Sequence, residues 1–326
     1  MLYKSALLAL GCLSGYVQAQ YAKPGACTGV CVDTHDPSVI RRSSDGTYFR
    51  FSTGGLISIH TAPDITGPWT FACKMLSTNS KVTKHGNPGS DLWAPDVSLI
   101  GDTYYVYYSV STFGTQNSGI GLATSKTMNC GSFTDVGSVG ITSRDGSAYN
   151  AIDANLFNDG GVYRMTFGSF WNNLYQVPMA NPPRGTSGIS VQVAYDPAGD
   201  HKVEGPALIK NGKYYYLFFS AGQCCGFDTN PAPAGTEYHV KVCRSTSPNS
   251  GFVDNNGASC RSGGGTTILA SHGNIYSGGG QSVYNDPKNG WIMVYHYVNT
   301  NIGYANDQKQ FGWNKLSFSS GWPVLV

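Results

Sequence analysis

A turn containing glycine, followed at once by an aromatic, β-favouring run, recurs five times along the chain. No other feature limits the fold as strongly. Asp45-Gly46 precedes Tyr48-Phe49, Gly101-Asp102 precedes Tyr104 to Tyr108, and Gly160-Gly161 precedes Val162 to Phe167. Asn211-Gly212 then precedes Tyr214 to Phe219, and Asn289-Gly290 precedes Trp291 to Tyr295. Glycine permits the positive φ of a tight hairpin, and the aromatic run pairs back along the preceding strand. The glycines at 46, 101, 161, 212 and 290 are separated by 55, 60, 51 and 78 residues. That spacing is near the length of one propeller blade, which holds about four strands. The pattern predicts an all-β chain folded as a five-bladed β-propeller. A glycine-rich β-sandwich would also contain hairpins, but it has no recurring phrase at this spacing.

The unit ends echo one another as well. Thr61-Ala62-Pro63-Asp64 leads to Gly67-Pro68-Trp69, Ser125-Lys126 to Gly131-Ser132-Phe133, and Ser245 to Pro248 to Gly251-Phe252. Each predicts a third strand, a polar turn and an outer edge strand opened by an aromatic. Residues 222–237, with Cys224-Cys225 and several prolines and glycines, read as a long surface loop.

Residues 1–19 read as a secretory signal: Lys4, an apolar stretch from Ala6 to Leu13, and a cleavage site at Val17-Gln18-Ala19. The stretch is too short to span a bilayer, which needs roughly 20 residues. The expected mature chain is therefore 20–326, a single domain outside the cell with no membrane association. Cys12 leaves with the leader, and the other eight of nine cysteines form an even set suited to disulfides. Their connectivity is open at this point: Cys224 and Cys225 either bond to each other or staple the loop to other strands. The charge of +2 and the absence of a basic run argue against nucleic acid as a partner. No Gly-x-Ser-x-Gly and no His-Glu-x-x-His occurs, which disfavours serine and zinc hydrolases.

Upstream of each turn glycine lies a polar residue on the strand that opens the unit: Asp36, Asp96, Asp153, Glu204 and Gln281. In a propeller the first strand of each blade lines the axis, so this phase gathers four acids at one end of a channel. Hydrolysis of a glycosidic bond needs one carboxylic acid to protonate the leaving oxygen and one carboxylate to activate water or attack the sugar. A further negative charge nearby raises the pKa of the acid. Glu204, between Val203 and Gly205-Pro206, has the apolar setting of an acid, and Asp36, after His35, the polar setting of a base. The residues alone do not choose between inversion and retention.

Six phrases in order give the chain a resemblance to glycoside hydrolase family 43, and within it to the endo-1,5-α-L-arabinanases. They are His35-Asp36-Pro37-Ser38, Trp93-Ala94-Pro95-Asp96, Ser109 to Gly121 with Phe113-Gly114 inside, Asn150-Ala151-Ile152-Asp153, Ser169-Phe170-Trp171, and Val203-Glu204-Gly205-Pro206. The resemblance implies an inverting hydrolase of arabinan in which Asp36 is the general base, Glu204 the general acid and Asp153 the residue that orients Glu204 and raises its pKa. It also implies a substrate-binding set of Trp93, Asp96, Phe113, Gly114, Asn150, Ser169, Phe170 and Trp171. Aromatic faces suit the flat C–H faces of sugars, and Asn150 and Ser169 suit furanose hydroxyls. It further implies a calcium ion on the axis, facing a histidine of the fifth blade. Here that phrase reads Gly278-Gly279-Gly280-Gln281-Ser282, and a hard cation prefers several oxygen ligands. The glutamine argues against an equivalent site, and acid–base hydrolysis needs no metal. His272 and His296 read as structural hydrogen-bonders. The expected partner is arabinan and its oligosaccharides, bound by a monomer. An exo-acting arabinofuranosidase or β-xylosidase of the same fold, and a non-catalytic carbohydrate-binding propeller, remain as alternatives.

Overall fold

The computed structural model describes residues 21–326; the expected leader and its cleavage site lie outside them. Among the described residues, twenty strands form five four-stranded antiparallel sheets. The first blade is β1 (Ser38–Arg41), β2 (Tyr48–Ser52), β3 (Ser58–Ala62) and β4 (Thr70–Lys74). The second is β5 (Leu92–Ile100), β6 (Thr103–Val110), β7 (Gly119–Ser125) and β8 (Thr134–Thr142). The third is β9 (Asn155–Asp159), β10 (Val162–Phe167), β11 (Leu174–Pro178) and β12 (Val191–Ala194). The fourth is β13 (Val203–Asn211), β14 (Tyr214–Ala221), β15 (His239–Ser245) and β16 (Thr266–Leu269). The fifth is β17 (Ile275–Asp286), β18 (Gly290–Asn299), β19 (Gln310–Ser317) and β20 (Val324–Leu325). All five predicted glycine turns join a first strand to a second, with tight closures at Ile100↔Thr103, Asp159↔Val162 and Asn211↔Tyr214.

The aromatic runs follow from the period of a strand. Side chains alternate between faces, and a blade is buried on both. Tyr104, Val106, Tyr108 and Val110 of β6 enter the core shared with the first blade, while Tyr105 and Tyr107 enter the core shared with the third. Leu217 and Phe219 of β14 likewise face the third blade, and Tyr216 and Phe218 the fifth. A fifth core, with Tyr48, Trp69, Val294 and Phe311, seals the first blade to the last. A strand in such a position must be apolar throughout, which is why no simple alternation marks it in the sequence.

Every blade is built from consecutive chain, so no strand exchange closes the ring. Residues 21–32 tie the ends instead. Gly25 N–H donates to Trp313 O, Trp313 Nε1 to Ala26 O, and Val30 N–H to Trp69 O. Cys27–Cys31 closes a loop in this strap, Cys73–Cys130 links the first two blades, and Cys243–Cys260 braces the fourth. Cys224 and Cys225 are bonded to each other in the connection from β14 to β15, which settles the alternative left open by the sequence. One expected echo fails. Trp69 and Phe133 do precede outer strands, but Phe252 is buried in the core and the outer strand begins only at Thr266, after the turn that holds Cys260. Among the described residues no helix is long and apolar enough to cross a membrane.

Candidate active site

The first strand of each blade faces the axis, and hydrogen bonds link neighbouring strands around it. Ser38 Oγ accepts from Val97 N–H at 3.1 Å, Asp96 Oδ2 from Leu156 N–H at 2.9 Å, and Asn155 Oδ1 from Leu208 N–H at 2.8 Å. Gln281 Nε2 donates to Gly205 O at 2.5 Å, and Ser282 Oγ to Pro37 O at 2.9 Å. Five links thus join five blades. Asp96 is one of them, which gives it a structural role beside the substrate-binding reading. It is only 7% exposed, and its other oxygen accepts from Asn155 Nδ2 at 3.0 Å, so both oxygens are occupied by the third blade. Burial raises its pKa to about 6.

Asp36, Asp153 and Glu204 sit at the entries of β1, β9 and β13, and Asp36 and Asp153 line one axial cavity with Gly205 and Gly280. Repeat phase locates this end of the channel correctly but errs in register. The residues that share a conformation, each at positive φ just where the chain turns onto its axial strand, are Asp36, Ala94, Asp153, Gly205 and Gly280. Asp36 has φ 44° and Asp153 φ 60°, a left-handed geometry that aspartate tolerates better than most side chains. Such backbone strain concentrates at functional sites.

Asp36 Oδ2 accepts from Thr53 Oγ1 at 2.9 Å, and Thr53 is itself fixed by Ala94 N–H at 2.8 Å. The backbone N–H of Asp36 donates to His296 Nδ1 at 3.0 Å. His296 is buried and held well below its usual pKa by desolvation, then by Lys309 and His35, so it is neutral and no ion pair forms with Asp36. The expectation that His296 is a structural hydrogen-bonder holds. His272 is likewise a bonder, its Nδ1 lying 2.8 Å from Ala270 O.

Glu204 is held from two sides. Ser169 Oγ donates to Oε2 at 2.6 Å and Tyr238 OH to Oε1 at 2.9 Å. Burial pushes the pKa of Glu204 up, while the two hydroxyls act against the rise. Asp153 is pushed well up, first by burial and then by the charges of Glu204 and Asp36, against a bond from Gly205 N–H to its Oδ2 at 3.1 Å. Two buried carboxyls that share a pocket titrate as a pair, and the pair retains a proton at a pH where an exposed carboxyl has lost one.

The rest of the sequence-derived set divides. Phe113 is 77% exposed on the connection from β6 to β7, next to Gly114 at φ 77°, and Trp171 is 36% exposed. Phe170 and Trp171 are both left-handed, which presents two successive aromatics from the turn between β10 and β11. Trp93 is half-buried, and its Nε1 donates to Asp91 Oδ2 at 2.8 Å. Ser169 and Asn150 are buried: Ser169 holds Glu204 instead of facing solvent, and Asn150 Oδ1 accepts from Ser118 Oγ at 2.6 Å.

Thr53, Tyr238 and Lys309 were not anticipated. Tyr238 follows the loop expected at 222–237 by one residue, and its ring stacks on His296 at 5.8 Å between centroids. The glycine phrase Gly278-Gly279-Gly280 makes room for this group. A Cβ on Gly279 would stand 2.2 Å from the Tyr238 ring, and one on Gly280 would stand 2.4 Å from Asp36 Oδ1 and 2.6 Å from His296. An invading side chain there is the signal that could have pointed to Tyr238, but only with its partner known.

The fifth-blade glutamine and Asp96 are engaged by protein partners. Gln281 Oε1 already accepts from Ser220 Oγ at 2.6 Å, its amide is spent on Gly205, and both oxygens of Asp96 are engaged. Among the described residues no three His, Cys, Asp or Glu side chains gather as ligands.

Comparison with known proteins places this geometry. Residues 30–323 match the model of the glycosyl hydrolases family 43. The arabinan endo-1,5-alpha-L-arabinosidase A of Aspergillus niger is 57% identical over 305 residues, covering 94% of each chain. Among solved structures, the family 43 endo-arabinanase from Bacillus licheniformis superposes with a TM-score of 0.81 at 29% identity, over 92% of this chain and 99% of that one. An exo-1,5-alpha-L-arabinanase from a bovine ruminal metagenomic library superposes with a TM-score of 0.80 at 33% identity, over 90% and 97%. With three acids at the mouth of a five-bladed ring and a family match across nearly all of the described residues, the chain belongs to glycosyl hydrolases family 43.

Proposed function

We propose that this protein is a secreted endo-1,5-α-L-arabinanase that hydrolyses internal bonds of arabinan with inversion. The observation that carries the reading is Asp36 and Asp153 on one cavity, with Asp153 bonded to the peptide after Glu204 and both Asp153 and Glu204 pushed toward their protonated forms. The 57% identity to a fungal endo-acting arabinosidase supports the substrate and the internal mode of attack. Four disulfides and the expected leader support export.

In this mechanism Asp36 takes a proton from water as the water oxygen bonds to the anomeric carbon. The bond from that carbon to the leaving oxygen breaks, and Glu204 donates its proton there. Thr53 fixes one oxygen of Asp36, while Ser169 and Tyr238 fix the plane of Glu204. Asp153 grips the peptide after Glu204 and, through its charge, keeps the proton on the pair. Phe113, Phe170, Trp171 and Trp93 are the platforms for the arabinose chain. Each step uses side chains of this chain.

An exo-acting enzyme is the second reading, because an exo-arabinanase superposes as well as an endo-acting one. The time course of products from linear, debranched arabinan decides between them. Mixed oligosaccharides at early times are expected; arabinose or a single short product from the start would overturn endo action. Arabinan bound without release of reducing ends at any pH from about 4 to 7 would leave only a carbohydrate-binding propeller.

A further inference from the structure

Lys309 is a buried lysine whose backbone is bonded to the segment that carries Asp36, and no sequence phrase announced it. It lies where the 3-10 turn Asn306–Gln308 leads into β19, and it is 1% exposed. Two bonds fasten this turn to the segment that carries Asp36: Thr34 N–H donates to Lys309 O at 3.2 Å, and His35 Nε2 lies 2.8 Å from Asn306 O. The Lys309 ammonium donates to Cys224 O at 3.0 Å, and its charge acts on Asp36 and Glu204.

The acceptor is unusual in how firmly it is held. The Cys224–Cys225 bond closes a small ring that contains the peptide between the two residues, so the chain around Cys224 O has little freedom. Gln223 braces the same corner, its Nε2 donating to Cys225 O at 3.0 Å and to Asn230 O at 2.7 Å. The Phe227 ring lies 6.0 Å from the ammonium. A buried lysine with a loose acceptor would swing to water or lose its proton. Here the acceptor is fixed by a covalent bond between neighbours, and the ammonium stays.

We propose that Lys309 is a positioning residue of the active site, held at Cys224 O by the vicinal disulfide so that a buried positive charge stands opposite Asp36 and Glu204. The inference rests on the proposed reaction, since it assigns Lys309 a task within it. Asp36, Asp153 and Glu204 carry like charges that act on one another. A fixed cation offsets that repulsion: Lys309 interacts with the charges of Asp36 and Glu204 and acts to hold the pKa of Glu204 down. The titratable groups whose charges act on the ammonium, or which respond to its charge, are Asp36 and His35 before β1, Glu204 on β13, and His296 on β18. Both histidines are pushed down by burial and by Lys309, so neither competes as the cation. Burial lowers Lys309 itself to about 8, which leaves it charged throughout the acidic and neutral range.

The test is the pH dependence of kcat/KM on linear arabinan for the wild type, Lys309→Met, Lys309→Arg and the double variant C224A/C225A. Lys309→Met should lose about tenfold or more at the wild-type optimum, and both limbs of its profile should move to higher pH by about half a unit or more. Lys309→Arg should return the limbs toward the wild type. C224A/C225A should move them in the same direction as Lys309→Met, and should add nothing in the Lys309→Met background. A carbon-13 titration of the carboxyl groups should record the same displacement without turnover. A Lys309→Met profile or titration that coincides with the wild type overturns the proposal, as does a loss of rate with unmoved limbs. Should Lys309→Met not fold, unmoved limbs in C224A/C225A overturn it. A wild type without activity on arabinan would sink the proposed reaction instead, and the carboxyl titration would still decide the role of Lys309.

Discussion

The backbone N–H of Gly205 donates to Asp153 Oδ2 at 3.1 Å, so the acid of the third blade grips the peptide immediately after Glu204. One bond thereby serves two ends. It sets where Glu204 begins its side chain, and it brings a second carboxyl close enough to couple to the first.

Asparagine separates those two contributions. Asp153→Asn keeps an oxygen for Gly205 and removes the charge, whereas Asp153→Ala removes both. Loss of a neighbouring negative charge makes Glu204 release its proton more readily, so the basic limb of kcat/KM should move to lower pH in both variants. The rate should fall by about a hundredfold in Asp153→Asn and further in Asp153→Ala. An unmoved basic limb in Asp153→Asn would remove the pKa-tuning role.

The hydroxyls on Glu204 should act with the opposite sign. Ser169 and Tyr238 both donate to the carboxylate and so favour its charged form. Ser169→Ala and Tyr238→Phe should each move the basic limb to higher pH and lower kcat by about tenfold, since the plane of the acid is less well fixed. The two losses should not add in the double variant, because the hydroxyls hold one group. Limbs that move downward would show that these hydroxyls accept from a protonated Glu204 in the free enzyme.

Burial of the pair also bears on stability. A carboxyl whose pKa is raised by folding binds its proton more tightly in the native state than in the unfolded one. Its stabilisation is complete below the unfolded value and is lost as pH rises through the folded value. Glu204→Gln does not titrate there, and it also relieves the charge on Asp153. Its Tm should therefore exceed that of the wild type by a margin that widens as pH rises from about 4 toward 7, with hydrolysis nearly abolished. A Tm difference that is flat across this range would mean that the pair is not desolvated in the native protein.

How much of this was legible in the sequence follows from range. The five blades were, because each hairpin is written in adjacent residues, such as Asn211-Gly212 before Tyr214. The positions of Asp36 and Asp153 were, because phase within a repeat is a local property, while Glu204 stands one residue before the in-phase Gly205. The register was not: Asp96 stands two residues beyond Ala94, and only the left-handed backbone at Ala94 and Asp153 reveals which positions correspond. Thr53, Tyr238 and Lys309 reach the site from the connections after β2, before β15 and before β19, where no period operates. Phe252 misled for a related reason, since an aromatic after a polar turn fills a core as readily as it opens a strand.

The shifted register leads to a last expectation, at Asp96. If it binds sugar, Asp96→Asn should raise KM; if it links blades, the variant should lose stability and leave KM alone. In the structure Asp96 Oδ1 accepts from Asn155 Nδ2, and Asn155 Oδ1 is committed to Leu208 N–H. An amide at position 96 can serve Leu156 N–H with its oxygen, but it then turns its NH2 toward the NH2 of Asn155. Rotating Asn155 to relieve this would orphan Leu208 N–H. A buried donor without a partner costs about 1–3 kcal/mol, so Asp96→Asn should lower the unfolding free energy by about that amount. Asp96→Asn combined with Asn155→Asp, which exchanges donor and acceptor between the two blades, should recover only part of it. The carboxylate introduced on the third blade would keep an oxygen for Leu208 N–H but bury its charge beside the axis. Urea unfolding and KM on arabinan, measured on the same preparations, separate the two roles, and a raised KM with unchanged stability would return Asp96 to the substrate.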